Sequence, residues 1–235
     1  VWGGEDNDPP QYGKVFISLK PQNSDYLSEI EKSSVQTKLN QLNMLTVRPV
    51  IVDAEIVKIL ITTVFKYNEN ETTLSKGELE ALVKNAIINF DNTNLNNFDS
   101  IFRHSNLVKS IDEADTSIMS NISNIRLRKK KNITLDKSEG LVINFGNSFF
   151  HPHDGHNKDS GGILSTTGFK VDGDTVNTYF FDDDGSGNVR RYSLSGTTRV
   201  IADQSAGTID YTSGKVSINA IKFTSTVNSD TSIDY

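Results

Sequence analysis

The feature that most constrains this chain is a change of character near Lys131. Before it, apolar residues recur at helical spacing and alternate with β-rich runs. After it, helical periodicity vanishes, and Gly, Ser, Thr, Asp and Asn separate short β runs. A chain with that division is expected to be α+β first and all-β afterwards. With 235 residues it is long enough for one large domain or two smaller ones, each with a core. The expected organisation is a connecting segment over 1–14, an α+β layer domain over 15–131 and an all-β domain over 132–235.

In the first half, Val15 to Leu19 reads as a strand closed by Pro21. From Ser24 the residues Leu27, Ile30, Val35, Leu39 and Leu42 form a helical stripe, and Pro49 ends that region. Val50 to Phe65 reads as one long β run, apolar on both faces. Ser75 and Glu78 have the spacing of a capping box, with Leu74 and Leu79 placed as a hydrophobic staple. Leu79, Leu82, Val83, Ala86, Ile87 and Phe90 then repeat at three and four. A second helical segment is expected through Phe98, Ile101 and Phe102, continuing over Leu107, Val108 and Ile111. Beyond the acidic loop 112–115, Ile125 and Leu127 alternate with Arg126 and Arg128, the pattern of an edge strand. The sum is a three-stranded sheet with helices packed on one face.

Past Lys131, β runs are expected at Leu141–Phe145, Gly168–Val171, Thr175–Phe181, Val189–Leu194, Arg199–Ile201, Thr208–Tyr211 and Lys215–Phe223, with turn signals between them. Short strands at this spacing point to a sandwich-like or barrel-like module.

Composition excludes some chemistry. There is no cysteine, so disulfides and thiolate metal sites are ruled out. No apolar run approaches the roughly 20 residues of a membrane helix. The net charge of −6 is uneven: residues 132–235 hold 8 basic and 13 acidic side chains, net −5. That argues against phosphate-backbone binding. The basic cluster Arg126, Arg128, Lys129, Lys130 and Lys131 reads as a solvated strand end. The chain opens on Val1 and not Met, as a piece of a longer polypeptide would.

Three of the four histidines, His151, His153 and His156, lie within six positions beside Asp154. They are weak candidates for a metal site; side chains capping a loop are the plainer reading. Asp182, Asp184, Ser186 and Gly187 partly match a calcium loop. Ser193 stands where a bidentate glutamate is needed, so a hairpin turn is expected instead. Nucleophile-elbow, Walker and dinucleotide motifs are missing, and neither a catalytic residue nor a cofactor is expected. Tyr179, Phe180 and Tyr192 would serve sugar stacking if exposed, though buried strand faces explain them equally.

Several phrases together carry a resemblance over nearly the whole chain. They are Gly3-Gly4-Glu5-Asp6 running into Tyr12-Gly13-Lys14-Val15-Phe16-Ile17, and Phe102-Arg103-His104-Ser105-Asn106-Leu107-Val108-Lys109-Ser110-Ile111-Asp112. Arg126-Leu127-Arg128-Lys129, His151-Pro152-His153-Asp154-Gly155-His156 and Gly207-Thr208-Ile209-Asp210-Tyr211-Thr212-Ser213-Gly214-Lys215-Val216 complete the set. In this order they resemble the later part of the baseplate wedge proteins of T4-like contractile-tailed phages, in the baseplate J-like group. The resemblance implies a virion protein without enzymatic activity, made in the host cytoplasm. It would pair with itself as a homodimer, contact other baseplate wedge proteins in a ring around the tail tube, and move as a rigid body when the tail contracts. A carbohydrate-binding tail component is the alternative, and a metal-dependent enzyme a third. No nucleic-acid or membrane partner is expected.

Overall fold

A computed structural model describes residues 1–7, 10–21, 24, 26–42, 47–228 and 231–235. The chain divides into two compact units, Val1–Ile56 and Val57–Tyr235. This division falls inside the span 15–131.

The first unit contains β1 (Trp2–Gly3), a single 3-10 turn (Gly4–Asp6), β2 (Lys14–Ser18), α1 (Glu29–Gln41) and β3 (Arg48–Val52). β1 pairs antiparallel with β2, while β2 and β3 are parallel, with Phe16 beside Val50 and Ile17 beside Ile51. A parallel pair needs a long crossover, which α1 supplies. The helix starts at a full capping box: the Ser28 hydroxyl accepts from Glu31 N, and the Glu31 carboxylate accepts from Ser28 N. The expected stripe does not become a buried face. Ile30 and Leu42 are 82% and 81% exposed, and no residue of α1 is fully buried. Pro49 does not end a region but sits within β3, on the sheet edge where a missing N–H is tolerated. The Gln36 amide serves that edge, donating to Pro49 O at 2.7 Å and accepting from Ile51 N at 3.1 Å. Among the described residues of this unit, Phe16 is the one buried hydrophobic side chain.

The long β run expected over Val50–Phe65 is therefore two strands in two units, interrupted at 53–56. β4 (Val57–Tyr67) opens the second unit and pairs antiparallel with β5 (Ile118–Asn132). Between them come α2 (Lys76–Phe90), a π-turn (Asp91–Leu95) and α3 (His104–Asp112). The expected capping box at Ser75 and Glu78 is present, and Leu79 is fully buried. The second helix starts later than its apolar pattern suggested. Asp99 has a φ of 59°, which helical backbone cannot continue through, and Phe98 and Ile101 are exposed. Val83, Phe90, Leu107, Ile111 and Ile118 form the core under α2 and α3, against Ile61, Phe65 and Ile125 of the sheet.

Over residues 118–128 β5 is an edge strand, with β4 its one strand partner among the described residues, and only its far end is covered. After the remaining strands the chain returns as β12 (Ser232–Asp234), which pairs with Asn132, Lys131 and Lys130, giving the order β12-β5-β4. The helices lie on one face of this sheet, as expected, but β2 belongs elsewhere.

The turn-rich half folds as β6 (Ser138–Asn144), β7 (Phe169–Val171), β8 (Asp174–Asp183), β9 (Asn188–Ser195), β10 (Thr198–Asp210) and β11 (Lys215–Thr226). Runs expected at Arg199–Ile201 and Thr208–Tyr211 are one strand, β10, with register shifts between Ile201 and Asp203 and between Asp203 and Gly207. The sheet is a barrel and not a sandwich. β11 pairs with β10 over Lys215–Ile218 and with β7 over Phe223–Thr226, which closes a ring of five strands with β6 attached outside it. The irregularities along β10 and β11 bend the strands enough to change partners. Phe169, Phe181 and Phe223 fill the interior, with centroids 4.6 and 5.2 Å from Phe169. Val57 and Leu127 pack on the same core. One face of the β4–β5 pair thus serves the helical core and the barrel core in succession, which joins them into one unit.

Candidate functional site

The histidine loop lies over the β8–β9 hairpin. The His151 ring stacks on Tyr211 with centroids 3.9 Å apart, and its Nε2 is 2.7 Å from Gly185 O. His153 and His156 meet edge to face at 5.2 Å. His153 Nδ1 contacts Asp154 O, and His156 Nε2 contacts the Asn157 amide. The structure brings His153 and His156 together, while the His151 ring is engaged by Tyr211 and Gly185. Among the described residues no group of three or more His, Asp or Glu side chains is placed to hold a metal ion.

Below the loop are two fully buried aspartates that their place in the chain marks only as turn residues. Asp183 Oδ1 accepts from Ile163 N and Leu164 N, both at 2.7 Å. Its Oδ2 accepts from Tyr211 O–H at 2.7 Å and Gly185 N at 3.2 Å. Gly162 lies so close that a Cβ there would meet this carboxylate. Burial and the Asp183 hydrogen bond push the Tyr211 hydroxyl far up. Asp182 accepts from Arg190 Nε and Nη2 and from Arg199 Nη1; burial pushes its carboxyl up, against the two arginines that favour the charged form. Asp184 turns the hairpin, accepting from Ser186 N and Asn188 N. The three aspartates therefore point to three separate tasks, not to one ion.

A cleft of about 810 Å³ opens beside this region. Phe102, Phe145, Phe149 and Phe150 contribute to its walls, with Arg199 and the β5 segment 125–127, and no carboxylate lines it. His104 lines it too, with Nε2 engaged 3.1 Å from Ser123 O. A carboxylate pair or an activated nucleophile, the usual parts of a hydrolytic site, is not among its lining residues. The rings weighed for sugar stacking are unsuited to it: Tyr179 and Tyr192 are buried, and Phe180 stacks on Tyr192 at 5.6 Å.

A second open feature is the face of the β4–β5 pair turned away from the helices. Lys58 stands opposite Arg128, Leu60 opposite Arg126, Thr62 opposite Asn124, Val64 opposite Ile122 and Lys66 opposite Ser120. All are exposed.

Comparison with known proteins gives these surfaces a context. Residues 1–52 match the family described as "Baseplate structural protein gp6, C-terminal domain I", and residues 56–130 match "Baseplate structural protein gp6, C-terminal domain III". Together the matches cover more than half of the chain. This chain belongs to the gp6 baseplate structural protein family. It is also 23% identical over 138 residues to the baseplate wedge protein gp6 of Enterobacteria phage T4, which is 58% of this chain but 21% of that relative. The chain thus spans about a fifth of the relative's length. The two gp6 domain matches are separated by residues 53–55, beside the Ile56/Val57 division of the structure, and the second stops at the end of β5. The barrel follows it. No helix among the described residues is long and apolar enough to cross a membrane.

Proposed function

We propose that this chain is a non-enzymatic structural part of a phage tail baseplate wedge that associates with itself and with other wedge proteins around the tail tube. The observation that carries this reading is the run of two gp6 C-terminal domains, in order, over residues 1–130. The physical chemistry of the first unit supports it. A unit of 56 residues is near the lower limit for independent folding, and this one buries a single hydrophobic side chain among its described residues. Such a unit gains stability by being covered in an assembly. The helix stripe at Leu79–Phe90 is a different matter: Leu79, Val83 and Phe90 are consumed by the internal core, so pairing draws on other surfaces.

In this reading the all-β module of 132–235 is fastened to the gp6 layer by β12, residues 1–14 are a connecting segment, and the protein resides in the virion baseplate after assembly in the host cytoplasm. The histidine loop is a structural element, pinned by Asp183 and Tyr211, that needs no metal. Sedimentation velocity at micromolar concentration tests the self-association. A dimer or larger species is expected; a monomer at every concentration would count against it.

A further inference from the structure

The uncovered face of β4 and β5 has a composition that its own fold does not explain. At its centre are Leu60, Val64 and Ile122, 42%, 67% and 70% exposed. At one end Lys58, Arg126, Arg128 and Lys130 crowd together, and Lys66 stands at the other. No acidic residue of β4 or β5 shares this face; Asp234, on β12, stands opposite Lys130. The side chains of Arg126 and Arg128 make no hydrogen bond or ion pair among the described residues. Directly opposed like charges such as Lys58 and Arg128 weaken a sheet. Exposed aliphatic side chains in a contiguous strip mark contact surfaces. Lys58 and Lys130 have partners within the fold, so the unpaired guanidinium groups of Arg126 and Arg128 beside the exposed aliphatic side chains are what point to a use outside it.

We propose that this face docks a different protein of the same assembly, through an aliphatic patch rimmed by Asp and Glu side chains. The proposal rests on the baseplate reading and names the chemistry of one contact within it. A two-fold pair of this chain through the same face would bring Arg126 and Arg128 against either their own copies or the Lys66 end, and neither arrangement offers them a carboxylate of β4 or β5. Single-stranded nucleic acid is recognised by stacking on rings, and this face has none. The strip of β4, 11 residues long, extends for roughly 35 Å, enough for a helix or a strand pair of the partner to lie along it. Cations at one end fix the direction in which an acidic partner sits and speed its approach.

The test places a photo-reactive benzophenone side chain at Val64 or Ile122 of the chain in phage particles, with the adduct mapped by mass spectrometry. The expected adduct is on another polypeptide, with Asp or Glu within a few residues. R126E/R128E is expected to lower its yield at least roughly tenfold, without lowering the melting temperature, because Glu at 128 stands opposite Lys58. R126Q/R128Q gives the same readout, smaller, should the reversal fail to fold. Adducts on residues 1–56 of the same chain, on a second copy or on nucleic acid overturn the proposal, as do particles that contain the chain and give no adduct. A chain absent from particles overturns the baseplate reading and this proposal with it.

Discussion

Asp183→Asn tests the claim that one buried carboxylate holds the histidine loop onto the barrel. Asp183 is fully buried and accepts from three backbone N–H groups and the Tyr211 hydroxyl. Asparagine keeps the shape but turns one acceptor oxygen into a donor. The less costly placement directs the amide NH2 toward Tyr211, whose hydroxyl can rotate to accept, and leaves Gly185 N facing a donor. The hydrogen bond from Gly185 N is the longest of the four, at 3.2 Å, and it is broken, while the other three become hydrogen bonds to a neutral group. Hydrogen bonds to charged groups contribute about 1.5–3 kcal/mol each, and a buried unpaired donor costs about 1–3 kcal/mol. The expected loss is about 3 kcal/mol. For a unit of this size that lowers the melting temperature by roughly 6–12 °C. Tyr211→Phe removes one donor and should cost about 1–2 kcal/mol, with less than additive loss in the double variant. Scanning calorimetry reads both. A shift under about 2 °C for Asp183→Asn would refute the reasoning.

Other expectations follow from the same structure. Ser75→Ala removes the cap of α2 and should cost about 1 kcal/mol in urea unfolding. Limited digestion with a glutamate-specific protease should cut first after Glu55, in the segment between β3 and β4; early cleavage within α2 would contradict the fold. Elemental analysis of protein purified without a metal-affinity tag should find well under one ion per chain, and stoichiometric zinc lost in H151A/H153A would revive a metal site. Acid should destabilise the chain. Asp184 and Asp210 are held below the usual carboxylate range, the latter chiefly by the Ser213 hydroxyl and backbone N–H, and Asp184 by Asn188 and Ser186 against the cost of its burial. Their stabilisation is complete above the unfolded carboxylate pKa of about 4 and is lost as pH falls through the lower folded values. Chemical denaturation at pH 7, 4 and 3 should show the midpoint falling in that order.

Local signals were the legible part of this fold. The capping box at Ser75 and Glu78, the helix after it and the hairpin turn at Asp184 are written in residues that lie beside one another in the chain. What sequence concealed was set by distant partners. β5 looked like an edge because Arg126 and Arg128 alternate with Ile125 and Leu127. Beside those residues the edge is indeed open; what the alternation does not mark is that the far end of β5, at 130–132, is covered by β12, about 100 residues away. The break at 53–56 was hidden because Val50–Val52 and Ile59–Ile61 are equally β-prone, and only pairing assigns them to different sheets. Asp182 and Asp183 read as turn formers; their burial depends on Arg190, Arg199 and Tyr211, which no spacing rule connects to them. The one signal that could have raised them was their place at the end of the apolar run Tyr179–Phe181, where alternation carries Asp183 to the same side as Phe181. The barrel closure likewise depends on bulges in β10 and β11 that composition does not mark.

The most direct measurement is the number of copies of this chain in purified phage particles, by quantitative mass spectrometry with isotope-labelled peptides as standards. The baseplate account predicts several copies per particle, retained when tails are stripped to the baseplate. Particles that lack the chain, while it is abundant in the infected cell, would contradict the account.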